Sequence, residues 1–304
     1  MPAVFLAMSL QNELLKLSLK ILQGEKIIGK LFVNPRRGGE PFKASRFNSR
    51  KFTVTEHSIE GFQLLTLQPR GNESHKNGHI LLLHGGGYVM EAQRAHRLWA
   101  AYLVHTHQLT CSYFDYPLAP ENQYEKTNRL TLEAYKFITQ NFSDPRYFLF
   151  GDSAGGGLAL SILQQLRNLD LTAFPAKTVL VSPWVDLSME NPEIQEFMGK
   201  DHVLSLGALP QSVKHYVGNE SNLKKPEISP LFGPMENLGS IFLLYGTEEI
   251  FFPDNRLLEM NLLHAEGTDL KVDIGKGMVH DWLLFPIPET KKTLDKIANF
   301  LLQN

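Results

Sequence analysis

The sequence predicts an α/β fold built on a mostly parallel, eight-stranded sheet flanked by helices. Three observations predict it. Strand-like segments recur along the chain, and from residue 79 onward most are separated by stretches long enough for a helix. The apolar run Tyr147–Phe150 ends in the glycine-bracketed turn Gly151–Gly155, behind which Leu158–Leu169 is compatible with a helix. With 43% hydrophobic residues in a chain of 304, there is apolar surface for one large core, and the whole chain reads as a single domain with an insertion.

The elements follow in order. In residues 1–30 the apolar positions Leu6, Leu10, Leu14, Leu17 and Ile21 recur at three- and four-residue steps, so an amphipathic helix is expected there, packed by that face on the body of the protein. Arg36-Arg37-Gly38-Gly39 ends the pattern. Segments 52–57 and 62–68 are joined by the short Glu60-Gly61 turn, which predicts an antiparallel edge hairpin. Strands are expected at 79–84, 109–114, 147–150, 177–181, 241–245 and 270–274, with helices such as Gln93–His107 and Thr127–Asn141 between them. Alternation of this kind implies a sheet covered on both faces. Residues 187–228 show no strong strand and a loose mixture of polar residues, methionine, glycine and proline, which fits an insertion after the sixth strand.

Composition excludes several classes of function. A net charge of −2 gives no reason to expect a nucleic-acid partner or an anionic membrane surface. The lone Cys111 rules out an internal disulfide and argues against a thiolate metal site. His96, His105 and His107 lie on or near a predicted helix with no carboxylate or cysteine evident around them, so no metal site is expected there. The start Met1-Pro2-Ala3-Val4-Phe5-Leu6 lacks a basic region before its apolar stretch, and no run approaches the roughly 18 apolar residues that span a bilayer. A cytoplasmic protein without stable membrane insertion is expected.

The chemistry centres on Gly151-Asp152-Ser153-Ala154-Gly155. A sharp strand-to-helix turn lifts a serine hydroxyl clear of the sheet, and small flanking residues leave room for it. A nucleophilic serine also needs a base, an acid to orient that base, and donors for the oxyanion. His84-Gly85-Gly86-Gly87-Tyr88 follows the apolar run Ile80–Leu83, and consecutive glycines let bare backbone N–H groups reach a substrate oxygen. In this architecture the nucleophile, acid and histidine come in that order. Of 11 histidines, only His264 and His280 lie beyond the seventh strand; His264 sits in a helix-like run, whereas His280 occupies a glycine-punctuated loop after the last strand, and it is the expected base. For the acid, the loop after Ile241–Gly246 offers Glu248, Glu249 and Asp254. Asp152 and Asp186 are read as structural.

Four stretches, in order, carry a resemblance: His84-Gly85-Gly86-Gly87-Tyr88, Asp115-Tyr116-Pro117-Leu118-Ala119-Pro120-Glu121, Gly151-Asp152-Ser153-Ala154-Gly155-Gly156 and Gly277-Met278-Val279-His280-Asp281. In these the chain resembles the hormone-sensitive lipase family of α/β-hydrolase esterases. The resemblance implies the α/β-hydrolase fold, a helical cap formed by about 1–45 and 187–228, and an oxyanion hole from the N–H groups of Gly86, Gly87 and Ala154. The family's acid motif is Gly-x-x-Asp-x-Leu, where this chain has Gly246-Thr247-Glu248-Glu249-Ile250-Phe251; matching glycine to glycine puts Glu249 at the acid position, with Asp254 in reserve. Gln123-Tyr124-Glu125 departs from the Phe-Pro-Ala common after the Pro-Glu step. A homodimer would fit the family by analogy alone.

The expected function is a serine carboxylesterase for short-chain esters, with Ser153 as nucleophile, His280 as base and Glu249 as acid, acting through an acyl-enzyme and needing no cofactor. Two rivals use the same scaffold. A non-catalytic small-molecule receptor would show no Ser153-dependent turnover of p-nitrophenyl acetate or butyrate. An amidase or peptidase would prefer anilide to ester substrates.

Overall fold

The computed structural model describes residues 9–38, 51–71, 77–169 and 173–303. Eight strands form one sheet in the order β1-β2-β4-β3-β5-β6-β7-β8. They are β1 (Phe52–Ile59), β2 (Phe62–Pro69), β3 (His79–Leu83), β4 (Thr110–Phe114), β5 (Tyr147–Asp152), β6 (Lys177–Val181), β7 (Gly239–Glu248) and β8 (Thr268–Val279). The hairpin partners β1 and β2 are antiparallel, β2 also runs antiparallel to β4, and every other neighbouring pair is parallel. The central strands β3, β4 and β5 are buried at every position, as strands with helices over both faces must be, and their few polar residues are buried with them. The edge strand β1 is exposed at Thr53, Thr55, Glu56 and Ser58 and buried only at its two apolar ends, Phe52 and Ile59.

The covering helices are α3 (Arg94–His107), α4 (Tyr124–Asn141), α5 (Ser153–Leu166), α7 (Phe252–Leu263) and α8 (Pro288–Leu302). α5 begins on Ser153 itself, five residues earlier than the apolar pattern suggests, because the glycines between carry no periodicity. Nearly all of α5 is buried. No helix among the described residues is long and apolar enough to cross a membrane.

Outside these layers lie α1 (Leu10–Leu22) and α2 (Gly24–Val33), and the segment 187–228, which holds a 3-10 turn at Pro192–Phe197 and the short helix α6 (Leu209–Val217). The N-terminal helix is thus two helices, broken at Gln23, whose φ of 51° is left-handed. Its orientation differs from expectation. Leu10, Leu14, Leu17 and Ile21 are 52–73% exposed, and α1 instead turns Asn12, Leu15 and Leu19 inward. Asn12 is anchored by donating from Nδ2 to the Gly277 carbonyl, and Ser9 caps the helix and bonds Glu289. Periodicity identified an apolar stripe, but specific polar anchors decide which face is covered. Leu6 lies outside the described residues.

Candidate active site

The turn between β5 and α5 is forced by close packing. A Cβ on Gly151 would meet the Gly155 carbonyl oxygen at 2.2 Å, and one on Gly155 would meet the Leu83 carbonyl oxygen at the same distance. Ser153 takes a φ of 49°, a left-handed conformation that a serine adopts only when its surroundings impose it. The strain sets its hydroxyl at the carboxyl edge of the sheet, where ligands bind in open α/β folds. Ser153 is also the first residue of α5, so the Ala154 N–H is one of the amides a helix N-terminus leaves without an internal partner.

β8 delivers His280 to the same edge. Its Nε2 lies 2.9 Å from Ser153 Oγ, and the ring is nearly fully buried. On the other side, Nδ1 is 3.3 Å from Glu249 Oε2, an ion-pair contact too loosely aligned to count as a hydrogen bond. Such looseness is common without a substrate bound. Burial pulls the His280 pKa down, but the hydrogen-bonding reach and charge of Glu249, with the charges of Asp281 and Asp201, outweigh it and leave the pKa raised. Phe251 closes over the ring edge-on, with centroids 5.2 Å apart.

Glu249 has no exposed surface, so its carboxylate depends on internal donors. Ser182 Oγ donates to Oε2 at 2.6 Å, and Asn255 Nδ2 donates to Oε1 at 3.3 Å. The neighbouring amide of Ile250 is held by Asp201 Oδ2 at 2.9 Å, while Asp201 Oδ1 accepts from the Val203 and Leu204 amides. Residues 187–228 are thereby tied directly to the acid loop. Asp254 stands elsewhere: its Oδ1 accepts from Asn191 Nδ2 at 2.7 Å, and burial pushes its carboxyl up to about 7. Asp186 accepts from the backbone and hydroxyl of Ser188 within its own turn. His264 is exposed and bonds the Met260 carbonyl at its helix end.

The glycine turn 84–88 faces this group. Among the described residues the N–H groups of Gly86 and Gly87 donate to no hydrogen bond, which leaves them available as donors. Gly86 has a φ of 113°, a value that only glycine adopts freely. Ser212 of α6 donates to the Gly87 carbonyl, and a Cβ on Gly87 would press against Ser212 and Phe32 of α2. Arg37 reaches over to donate to the carbonyls of Val89 and Ala119 and pairs with Glu121 at 2.6 Å.

Beneath the turn is a cluster that the sequence did not reveal. The expectation that no carboxylate surrounds His96 is corrected: Asp152 Oδ2 lies 3.1 Å from His96 Nε2, and Asp281 is beside both, with ligating atoms of the three within 4.8 Å of one another. His96 Nδ1 accepts from the Gln93 amide at 3.0 Å, so the ring carries its proton on Nε2 and donates to Asp152. Asp152 Oδ2 also accepts from the Gly85 amide at 2.9 Å and so braces the glycine turn. Burial pushes Asp152 up to about 6 and Asp281 well above the usual carboxylate range, while it lowers His96 to about 4. With one Asp152 oxygen engaged by two N–H donors, the cluster braces the glycine turn from beneath. Of the residues engaged here, Ser182, Asn255 and Asp201 were missed by sequence reading. Three-dimensional proximity was the only signal for them.

The model of the α/β-hydrolase fold family matches residues 80–284. An esterase of Acinetobacter venetianus is 29% identical over 226 residues, covering 73% of this chain and 73% of that protein. An acetyl-hydrolase of Streptomyces hygroscopicus is 29% identical over 225 residues, covering 73% of this chain and 74% of its own length. A crystal structure of an esterase from the bacterial hormone-sensitive lipase family superposes with a TM-score of 0.78 at 25% identity, covering 97% of this chain and 98% of that one. With a parallel sheet, a strained serine elbow and a family match across most of the chain, this protein belongs to the α/β-hydrolase fold family.

Proposed function

We propose that the chain is a serine carboxylesterase that hydrolyses short-chain carboxylic esters through Ser153, His280 and Glu249. The observation that carries the proposal is the 2.9 Å approach of His280 Nε2 to Ser153 Oγ at the N-terminus of α5, with Glu249 behind the ring. His280 takes the hydroxyl proton as Oγ attacks the ester carbonyl carbon. The oxyanion is received by the N–H groups of Gly86, Gly87 and Ala154. Collapse breaks the bond to the alkoxy oxygen, which leaves as alcohol with the proton from the imidazolium. Water, deprotonated by the same His280, then attacks the acyl-enzyme, and the carboxylic acid departs as Ser153 regains its proton. Glu249 holds the imidazole in the tautomer with its proton on Nδ1 and stabilises the imidazolium in both halves.

In this proposal α1, α2 and residues 187–228 form a cap over the site; the contacts of Phe32 and Ser212 at Gly87 and of Asp201 at Ile250 support it. Preference for short acyl chains is supported by the likeness to an acetyl-hydrolase. The test is a series of p-nitrophenyl esters from acetate to decanoate on the wild type and Ser153→Ala. Turnover that depends on Ser153 and declines with chain length is expected. Absence of Ser153-dependent turnover, or a maximum at decanoate, contradicts the proposal.

A further inference from the structure

The segment that follows β6 bonds Ser153, Glu249 and the residue next to His280 without being one of the catalytic group. Ser182 takes a φ of 43°, left-handed and strained for a serine, and is fully buried. Its N–H is pinned to the Leu244 carbonyl of β7 at 2.6 Å, and β7 leads directly to Glu249. Two residues on, the Trp184 N–H donates to the Ser153 carbonyl at 2.9 Å. A serine hydroxyl has one proton to donate and lone pairs to accept with. Here the proton goes to Glu249 Oε2 at 2.6 Å, and the oxygen accepts from the Asp281 N–H at 3.3 Å. Asp281 is the residue immediately after His280.

We propose that Ser182 is a positioning residue whose single hydroxyl locks the acid and the histidine loop to one another. The proposal rests on the esterase assignment above. Its physical basis is the inequality of two distances at one oxygen: Glu249 Oε2 is 2.6 Å from Ser182 Oγ but 3.3 Å from His280 Nδ1. The stronger bond fixes where the carboxylate sits, and the histidine finds it there. A glutamate needs such a tether more than an aspartate does, because its longer side chain has one more rotatable bond to restrain. Asn255, on the other oxygen at 3.3 Å, is the weaker of the two tethers. The strained φ fits the same role, since a backbone conformation held against its preference marks a residue whose placement the surroundings dictate. The charges facing His280 are Glu249 from the loop after β7, Asp281 from its own loop and Asp201 from residues 187–228. Ser182 contacts the first two of these residues.

The test compares Ser182→Gly and Ser182→Ala with the wild type. Both variants remove the hydroxyl, but glycine relieves the backbone strain and alanine does not. Turnover of p-nitrophenyl butyrate is followed across pH, and the His280 ring is followed by 15N-edited NMR titration, which needs no turnover. Both variants are expected to lose about tenfold or more in kcat with KM within about twofold, and their acid limb moves to lower pH as the imidazolium loses a fixed counter-charge. In the NMR titration the His280 pKa falls in both. Retention of the wild-type kcat and acid limb overturns the proposal. So does recovery of kcat in the glycine variant alone, which would make backbone geometry the role of this position. If the wild type itself proves inactive, the esterase assignment fails, and an unchanged His280 titration in the variants then separately overturns the positioning role.

Discussion

Among the described residues, two arrays of serine, histidine and carboxylate differ instructively. At the carboxyl edge of the sheet, Ser153, His280 and Glu249 are separated by 2.9 and 3.3 Å. Within the core, His79 at the start of β3 lies 2.7 Å from Ser112 Oγ and 2.9 Å from Asp144 Oδ2. By distance alone, the second array has the better geometry. Its setting is wrong for catalysis. Ser112 sits in regular strand on β4, opposite Leu81 and Thr66, has no accessible surface, and shares its Oγ with Thr66 Oγ1 at 2.7 Å. Among the described residues, Ser112 itself stands at no strained elbow and no helix N-terminus. Hydrogen-bond distances make a buried polar clamp between strands as readily as they make a nucleophile. What separates the two is the strained turn at a helix N-terminus and the unengaged N–H groups of Gly86 and Gly87 beside Ser153.

Four experiments break or sharpen this contrast, from the largest expected effect to the smallest. Ser153→Ala should reduce kcat by about 10⁴-fold or more, whereas Ser112→Ala should leave kcat within about twofold. Steady-state hydrolysis of p-nitrophenyl butyrate reads both, and a large loss in the Ser112 variant with its fold intact would erase the distinction. Glu249→Ala should lower kcat by about 10³-fold, while Asp254→Ala leaves it nearly unchanged, and the reverse ranking would transfer the acid role to Asp254. His79→Ala strips Ser112 and Asp144 of a buried partner and should destabilise the fold by about 2–4 kcal/mol in urea titration without altering kcat of the folded enzyme.

The mildest effect is on pH dependence. The net pKa of His280 is raised, and the ring must be neutral to accept the Ser153 proton. Activity should therefore be complete at alkaline pH and fall as pH drops through a value above that of a free imidazole, about 6.5. For stability the sign is opposite: attraction between the imidazolium and its acidic neighbours favours folding at low pH and is lost as pH rises through the same value. An acid limb below about 6.5 would mean that burial outweighs Glu249.

These contrasts also show what the sequence could and could not carry. The elbow was legible because its glycines are required by contacts of backbone on backbone, and such contacts allow no substitute. The histidine that meets Ser153 was legible because chain order in this architecture leaves only two histidines beyond β7. The core array was invisible, since His79 and Ser112 interrupt apolar strands singly and nothing in either strand points to the other. Ser182 was hidden for a similar reason: a serine after a strand reads as an ordinary turn residue until its hydroxyl is found between Glu249 and Asp281. The exposed stripe of α1 marks the opposite limit. Leu10, Leu14, Leu17 and Ile21 have the spacing of a buried face, yet Asn12 on the other side holds the helix to the body.

The most direct measurement is covalent. The protein is treated with a p-nitrophenyl phosphonate ester, followed by intact-mass analysis and peptide mapping. A single adduct is expected on Ser153, formed in step with loss of esterase activity, blocked by excess short-chain ester and absent in His280→Ala. An unlabelled Ser153, or an adduct that maps to another serine while activity disappears, would contradict the assignment of Ser153 as the nucleophile.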